Sequence, residues 1–244
     1  MIYLGTSGWS YDDWIGTFYP DDLSRSQWLP FYTQFFNAVE VNASFYRLPF
    51  ENMVKGWDTK APKDFFFTFK GSRVITHYKK LKNIDDSLLT LYNRLSLMTN
   101  HLYNILWQLP PFLKRDDILL ESFLAQLDNK IPHIIEFRHP SWFTNEVYQL
   151  LETYKVAFCI ISAPILQTII QVTTDFAYIR WHGKNDWYKY NYSPDELHEW
   201  AHRIQQLDVD TVFGYFNNDY DAYAPKNCQY LQQLLNVDIK IVDQ

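Results

Sequence analysis

The segment HIIEFRHPSWF, residues 133–143, decides how the rest of the chain is interpreted. Its branched and aromatic residues, followed by a His-Pro break, predict a β-strand. Side chains alternate between the two faces of a strand, so Glu136 and Arg138 share one face while Ile135 and Phe137 share the other. The carboxylate and the guanidinium are then about 6.6 Å apart along the strand. One face of this strand therefore needs a polar environment, and the other needs an apolar one.

Seven similar apolar runs recur along the 244 residues. The eight strand candidates are Ile2–Thr6, Ala38–Asn42, Phe65–Lys70, Tyr103–Gln108, His133–Arg138, Val156–Ile161, Phe176–His182 and Thr211–Asn217. This frequency leaves about 30 residues for each repeat, the length of a strand, a helix and two loops. The pattern favours a parallel sheet whose faces are covered by helices.

Helical patterns lie between most of these strands. The clearest is SPDELHEWAHRIQQL, in which Ser193 and Glu196 form a capping box and Pro194 takes the first helical position. The other predicted helices are 26–36, 51–60, 86–98, 116–127, 144–154 and 225–235. Eight such units predict an α/β fold of the (β/α)₈ TIM-barrel type, with residues 1–244 as a single domain. An open doubly wound sheet is the alternative, because residues 162–175 lack a helix-capping signal.

Composition limits the classes of function. The net charge of −6 argues against a surface that binds nucleic acid all over, so any basic site must lie in a cleft. Two cysteines give no disulfide framework, and the start of the chain lacks the features of a signal peptide. The most apolar stretch, residues 156–172, is too short for a membrane helix. We therefore expect a soluble cytoplasmic protein with no membrane partner and no evident obligate protein partner.

Polar residues follow the apolar bodies of most strands. In a barrel, the residues that face the interior at the carboxyl ends of the strands form the site. This rule brings together charged and amide side chains from six strands: Glu40, Asn42, Lys70, Gln108, Glu136, Arg138, Arg180, His182 and Asn217. Burying so many charges for stability alone is costly, so a polar cup is the better interpretation.

The successive segments LGTSGWSYDDWIGTFYP, VEVNASFYRLP, FKGSRVITHYKKL, WQLPP, IEFRHPSW, YIRWHG and YFNNDYDAYAPKNCQYL resemble the domain-of-unknown-function seventy-two (YecE-like) family, in order and over essentially the whole chain. The resemblance implies a (β/α)₈ barrel with a polar cavity and an unassigned activity. It adds His77, His139, Trp142 and Tyr46 to the candidate residues. The sixth strand of the family is usually followed by Asp, whereas this chain has Ser162-Ala163, which weakens any mechanism that needs a third carboxylate or a metal ligand there.

The leading hypothesis is an enzyme with acid–base chemistry of the hydrolase or isomerase type that acts on a phosphorylated or otherwise anionic substrate. Arginine and lysine side chains in a concave site favour an anion, and Lys70, Arg138 and Arg180 would bind it. Glu136 and Glu40 would be the catalytic carboxylates, and His182 or His77 would carry the complementary proton. His139, Gln108, Asn42, Asn217, Trp142 and Tyr46 would contact the substrate. Alternatively, Glu136 is a structural ion-pair partner of Arg138 or Arg180.

Three other functions stay open. A glycoside hydrolase would use Glu40 and Glu136, with carboxyl groups about 5–9.5 Å apart. A divalent-metal enzyme would use the same carboxylates with His182, although no local metal-binding motif supports it. A non-catalytic protein would bind a nucleotide or single-stranded nucleic acid, using Trp9, Trp14, Trp142, Trp181 and Trp187 to stack bases. The glycines of GTSG lack the spacing of a dinucleotide or phosphate loop, so no cofactor is identified.

Overall fold

A computed structural model describes residues 1–101 and 103–237 of the chain. Within these residues it contains eight parallel strands. Numbered β1 to β8 in chain order, they are Ile2–Thr6, Ala38–Val41, Phe66–Lys70, Tyr103–Gln108, His133–Glu136, Val156–Ser162, Phe176–Trp181 and Thr211–Phe216. They pair in the order β1-β8-β7-β6-β5-β4-β3-β2, so each strand lies beside its neighbours in the sequence and β1 also pairs with β8. This is the nearly closed α/β barrel that the repeating pattern predicts.

Helices connect the strands on the outside of the barrel. Numbered α1 to α8, they are Trp28–Tyr32, Ala43–Tyr46, Glu51–Lys60, Asp85–Leu95, Asp117–Leu124, Asn145–Thr153, Pro194–Gln205 and Tyr223–Leu234. A short π-helix, Val74–Tyr78, follows β3, and single 3₁₀ turns occupy 12–14, 25–27, 140–142 and 220–222. None of the helices in the described residues is long and apolar enough to cross a membrane.

Capping residues set the starts of α7 and α5, and the cap of α7 is the capping box that the sequence predicts. Ser193 accepts a hydrogen bond from the backbone N–H of Glu196, and the Glu196 carboxylate accepts one from the Ser193 N–H. Asp116 caps α5 by accepting from the N–H of Leu119, 3.0 Å away. Each cap satisfies backbone donors that would otherwise have no partner in the first helical turn. Such caps typically contribute about 1 kcal/mol to helix stability.

Alternation along the strands creates two separate apolar layers. One layer fills the space between the strands and the helices, and Phe67 and Ile135 belong to it. The second fills the interior of the barrel; its buried members are Ala38, Phe66, Leu106, Ile134, Ala157, Cys159, Ile161, Tyr178, Phe213 and Tyr215. The inward positions that follow these residues towards the carboxyl ends of the strands are the polar ones, so the interior changes from apolar to charged at that end.

The junction between β1 and β2 closes the barrel mainly through side chains. The hydroxyl of Tyr32 accepts from the N–H of Thr6 at 2.8 Å and donates to the carbonyl of Ala38 at 3.0 Å. The amide of Asn37 pairs with the N–H of Leu4 and the carbonyl of Ile2, as a neighbouring strand would. A backbone bridge between Ser7 and Glu40 completes the junction. These contacts give hydrogen-bond partners to the backbone groups on the edge of β1 that faces β2.

Several predicted elements end at other residues in the structure; α4 and α5, for example, end at Leu95 and Leu124 instead of 98 and 127. The predicted helix 26–36 ends at Tyr32, whose hydroxyl is needed between β1 and β2. Residues 163–175 after β6 form no helix, which agrees with the missing capping signal. Strand β5 ends at Glu136, because the ladder with β4 ends there and Arg138 turns away from it.

Candidate active site

The inward positions at the carboxyl ends of the strands meet in one group of side chains, here called the polar cluster. It contains Glu40, Lys70, Gln108, Glu136, Arg138, Arg180, His182 and Asn217. These residues come from β2, β3, β4, β5, β7 and the segments that follow β5, β7 and β8. The period of two in each strand puts them directly above the apolar residues of the barrel interior.

Arg180 holds two carboxylates together at the bottom of the polar cluster. Its Nη2 donates to Oε1 of Glu40 at 2.6 Å, and its Nη1 donates to Oε2 of Glu136. Glu40 also accepts from the hydroxyls of Ser7 at 2.5 Å and Tyr178 at 2.6 Å. The guanidinium and both carboxylates are completely buried. Arg180 is therefore committed to protein partners and offers no exposed atom to a ligand.

Glu136 is held by a second arginine and an amide. Oε1 accepts from Nε of Arg138 and from Nε2 of Gln108, the latter at 2.8 Å. Burial alone would raise the pKa of Glu136, but Arg138 and Arg180 outweigh it and hold that pKa well below its usual range. The group is a carboxylate at neutral pH and a poor proton acceptor. This is the structural ion pair that the sequence left open as the alternative to a catalytic Glu136.

His182 lies between the two arginines and is fully buried. Its Nε2 lies 2.9 Å from Nη2 of Arg138 and 3.4 Å from Nη1 of Arg180. These two nearest groups are donors and the Glu136 carboxylate oxygen is farther away, at 3.7 Å, so this nitrogen is assigned as the acceptor. Burial, followed by the charges of Arg138 and Arg180, lowers the pKa of His182 well below its usual value. The imidazole is neutral at physiological pH, with Asn217 beside its Nδ1 at 3.0 Å.

Lys70 differs from the other charged members of the polar cluster because its ammonium has no hydrogen-bond partner in the described part of the chain. Only 8% of the residue is exposed, and Nζ lies 4.3 Å from the centre of the Phe45 ring. Burial and nearby Arg180 lower the pKa of Lys70 to about 7, although Glu136 and Glu40 oppose them. The amine and ammonium forms are therefore similarly populated at neutral pH.

The loops after β2 and β3 form the rim above Lys70. His77, in the π-helix, packs edge-on against Phe45 at 5.1 Å, and its Nδ1 lies 2.9 Å from the hydroxyl of Thr76. Burial, and then the charge of Lys70, lowers the pKa of His77. Tyr46 is 63% exposed and lies against the guanidinium of Arg73. π-Helical turns often occur at functional sites.

Two other candidate residues line the opening. Arg138 is one-tenth exposed, and its guanidinium lies over the Trp187 ring at 4.7 Å. Its Nη1 makes no hydrogen bond to any described residue. Asn42 follows β2, and its buried Oδ1 likewise has no partner among the described residues. Arg138 therefore has an unused donor at the opening, and Asn42 has an unused acceptor that is buried.

Several sequence candidates lie outside the polar cluster. His139 caps the turn at 140–142 by accepting from the N–H of Ser141. The Trp142 indole donates to the carbonyl of Leu113 and stacks on Phe137 in the core. Three of the five tryptophans expected to stack bases, Trp14, Trp142 and Trp181, are fully buried. Their rings fill the core because large aromatic side chains bury the most apolar area.

The sequence places Tyr178 on the same strand face as Arg180, but neither Tyr178 nor Ser7 was among the predicted site residues, and both bind Glu40. A signal for each was available. Ser7 directly follows β1, and Tyr178 shares a strand face with Arg180, two positions deeper. Counting every inward hydroxyl near a strand end, together with the charged groups, would have included both residues.

In residues 1–101 and 103–237, no three His, Cys, Asp or Glu side chains converge in a way that could hold a metal ion. Ser162, where the family resemblance implies an Asp, is the last residue of β6. The hydroxyl of Ser162 accepts a hydrogen bond from the Tyr192 hydroxyl at 2.8 Å. Arg180 bridges Glu40 and Glu136, and both carboxylates are completely buried, which argues against the glycoside hydrolase alternative because neither is exposed to a sugar.

The arrangement of the strands agrees with comparisons to known proteins. Residues 3–244 match the sequence family described as Protein of unknown function DUF72. The chain belongs to the DUF72 family. The UPF0759 protein YunF of Bacillus subtilis (strain 168) is 27% identical over 274 residues, which cover 98% of this chain and 96% of YunF. The UPF0759 protein YecE of Escherichia coli (strain K12) is 32% identical over 59% of this chain and 50% of YecE.

Solved structures of the DUF72 family have the same fold. The crystal structure of a DUF72 family protein from Thermotoga maritima MSB8 has a TM-score of 0.86 and 30% identity, over 97% of this chain and 99% of that one. A DUF72 family protein from Enterococcus faecalis V583 has a TM-score of 0.83 at 18% identity, over 98% and 96% of the two chains. The names of these relatives state no activity.

Proposed function

We propose that this DUF72 family chain is an enzyme that transfers a proton to or from a small anionic substrate bound above the polar cluster. Lys70 is the proton-transfer group. Its nitrogen has no hydrogen-bond partner among the described residues although only 8% of the residue is exposed. This observation carries the proposal, because a purely structural lysine at this depth would be paired. Its pKa of about 7 is the value at which a general acid or base works best near neutral pH.

The charge distribution supports an anionic substrate. Glu40 and Glu136 are neutralised by Arg180 and Arg138 and are completely buried. The groups with unused donors towards the opening are cationic: Lys70, Nη1 of Arg138, and Arg73, whose guanidinium makes no hydrogen bond or ion pair with any described residue. A guanidinium presents donors that match carboxylate and phosphate oxygens. Arg180, Glu136 and Glu40 are positioning residues in this proposal.

A panel of sugar phosphates, nucleoside monophosphates and 2-oxo acids tests the proposal, with turnover followed by proton and phosphorus NMR. Lys70→Met should lower the turnover of the active substrate at least about 100-fold, because general acid–base catalysis contributes that much or more. Circular dichroism should show an unchanged fold. Lys82→Met, at an exposed lysine outside the polar cluster, is the matched control and should keep full activity. Full activity in Lys70→Met would remove Lys70 from the mechanism.

A second variant separates a catalytic Glu136 from a positioning one. The carboxylate of Glu136 favours the ammonium form of Lys70. Glu136→Gln should therefore lower the pKa of Lys70 further and move the acidic limb of the pH–rate profile to lower pH. If Glu136 were itself the general base, the same variant would abolish turnover at every pH instead.

A binding protein for single-stranded nucleic acid is the second candidate, and one observation favours it. Exposed or half-buried aromatic rings stand in five loops at the site end of the barrel, each beside a cation: Tyr46 and Tyr78 with Arg73, Phe112 with Lys80, Trp187 with Arg138, and Tyr220 with Lys189. Bases stack on such rings while cations hold the backbone. Binding of an oligothymidylate should then weaken steeply as salt is raised. Absent or salt-independent binding would discard this candidate.

A further inference from the structure

Lys70 has an environment that suits a second role beside proton transfer. A lysine amine without a hydrogen-bond partner has a lone pair that can attack an electrophilic carbon as well as accept a proton. Nζ of Lys70 faces the ring of Phe45 and has no hydrogen-bond partner in residues 1–101 and 103–237. It stands at the last position of β3, where a barrel presents groups to its substrate. The nitrogen is therefore placed as a nucleophile would be.

We propose that Lys70 forms an imine with an aldehyde or ketone group of the anionic substrate. This inference rests on the proposed function and deepens it, because it names the reacting group of the substrate as a carbonyl. Lysine imines are an established form of covalent catalysis, and they need a desolvated lysine or one next to other cations. Both conditions hold at Lys70, which is buried near Arg180 and Arg138.

The reaction balances without an oxidant or a reductant. The lone pair of the Lys70 amine attacks the carbonyl carbon, and the carbon–oxygen π bond breaks to give a carbinolamine. Protonation of the carbinolamine oxygen lets it leave as water, and the carbon–nitrogen double bond forms. The sum is amine plus carbonyl plus one proton giving a protonated imine plus water. The later return of water reverses these bonds and frees the lysine.

The surrounding charges favour both the neutral amine that attacks and the protonated imine that forms. Burial and the charges of Arg180 and Arg138 favour the neutral amine that attacks, and they lower the pKa of Lys70 to about 7. The protonated imine restores a positive charge at the same nitrogen, where Glu136 and Glu40 stabilise it. The Phe45 ring covers one side of the nitrogen and limits the access of water to it. The facing imidazole of His77 has a lowered pKa and adds no fixed charge at neutral pH.

The substrate class follows from these groups. The carbonyl must lie next to Lys70, while the anion contacts Nη1 of Arg138 and the guanidinium of Arg73. A 2-oxo acid or a phosphorylated aldose or ketose has this combination of a carbonyl and an anionic group on a short carbon chain. A substrate with a phosphate but no carbonyl would satisfy the proposed function and would contradict this inference.

Reductive trapping tests the inference. The full chain is incubated at pH 7.5 with sodium cyanoborohydride and, separately, pyruvate, glyceraldehyde 3-phosphate or glyceraldehyde, and the adducts are located by peptide mass spectrometry. Most Lys70 nitrogens are neutral at this pH, against about one in a thousand for an ordinary lysine. We expect Lys70 to be modified at least about 10-fold faster than any other lysine, and faster by glyceraldehyde 3-phosphate than by glyceraldehyde. Lys70→Met should lose the adduct, whereas Lys82→Met should keep it.

Formaldehyde with the same reductant is a probe that needs no anion recognition. Methylation that begins at Lys70 supports the neutral, reachable nitrogen, and methylation that begins at surface lysines overturns the inference. If Lys70 stays unmodified while Lys70→Met abolishes turnover in the metabolite panel, the imine is wrong and the proton-transfer function stands. If glyceraldehyde and its phosphate modify Lys70 at the same rate, the imine stands and the anionic substrate is wrong. Lys70→Arg, which keeps a positive charge, repeats the test should Lys70→Met unfold.

Discussion

Arg180 determines the geometry of the polar cluster more than any other residue. A buried ion pair contributes little net stability, but removal of one partner leaves the other charge buried without compensation. Arg180 neutralises Glu40 and Glu136 together, and neither carboxylate is exposed to water. The guanidinium is therefore needed to keep both carboxylates folded inside the barrel.

Arg180→Met should lower the free energy of unfolding by about 3–5 kcal/mol, the cost of breaking a buried pair from one side. Urea denaturation followed by circular dichroism measures the change. The control is Arg203→Met, which breaks an ion pair with Glu199 on the exposed face of α7 and should change stability by less than about 0.5 kcal/mol. A loss below about 1 kcal/mol for Arg180→Met would show that Glu40 and Glu136 do not depend on it.

The sequence indicated which residues gather at the site but not how they pair. Period-two alternation put Glu40, Glu136 and Arg180 on inward faces, and the structure brings these side chains together. The same alternation could not distinguish an arginine that binds a substrate from one that binds two carboxylates. That distinction depends on the register between β2, β5 and β7, which no local pattern records. Lys70 emerged as the unpaired cation only once the partners of the arginines were known.

The strands followed directly from the sequence, because a buried parallel strand is an apolar run of fixed length between loop residues. The closure between β1 and β2 did not. It depends on the hydroxyl of Tyr32 and the amide of Asn37, neither of which lies in a strand. Gly5 belongs to the same junction, since a Cβ at this position would lie 1.9 Å from the carbonyl oxygen of Ala38. The two strand edges approach closely because Gly5 has no side chain.

Gly5→Ala should therefore destabilise the chain by at least about 3 kcal/mol, since a backbone oxygen cannot move away as a flexible side chain does. Gly56→Ala is the matched control in α3, where an added Cβ meets no atom within 4 Å. It should stabilise the chain by about 0.5–1 kcal/mol, because alanine favours a helix more than glycine does. Thermal and urea unfolding of both variants measure the difference. Equal effects would mean that the β1–β2 junction widens at little cost.

At the scale of the whole molecule, the buried titratable groups should give the chain an unusual dependence of stability on pH. His133 is neutral because Trp107 donates to its Nδ1, and burial lowers its pKa to about 4. Burial also lowers the pKa of Lys70 to about 7 and the pKa of His182 well below its usual value. On folding, Lys70, His133 and His182 therefore lose protons at pH values where the unfolded chain keeps them. Folding also holds the pKa of Glu136 low.

The sign of the effect is the same for each of these groups. Between about pH 10.4 and 7 the unfolded chain binds a proton at Lys70 that the folded chain does not, so the free energy of unfolding falls as pH drops through that window. His133 extends the fall from about pH 6.5 to 4, and protonation of Glu136 continues it below about pH 4. Above about pH 10 the free energy of unfolding falls again, because burial raises the pKa of Tyr32 and Tyr178 and these phenols ionise in the unfolded chain before they do so in the folded one.

Urea denaturation across pH 5–10 should therefore find the largest free energy of unfolding on the alkaline side, near pH 9. Lys70→Met should flatten the curve above pH 7, whereas Lys82→Met should leave its slope unchanged; a wild-type maximum near pH 6 would rule out the neutral buried amine.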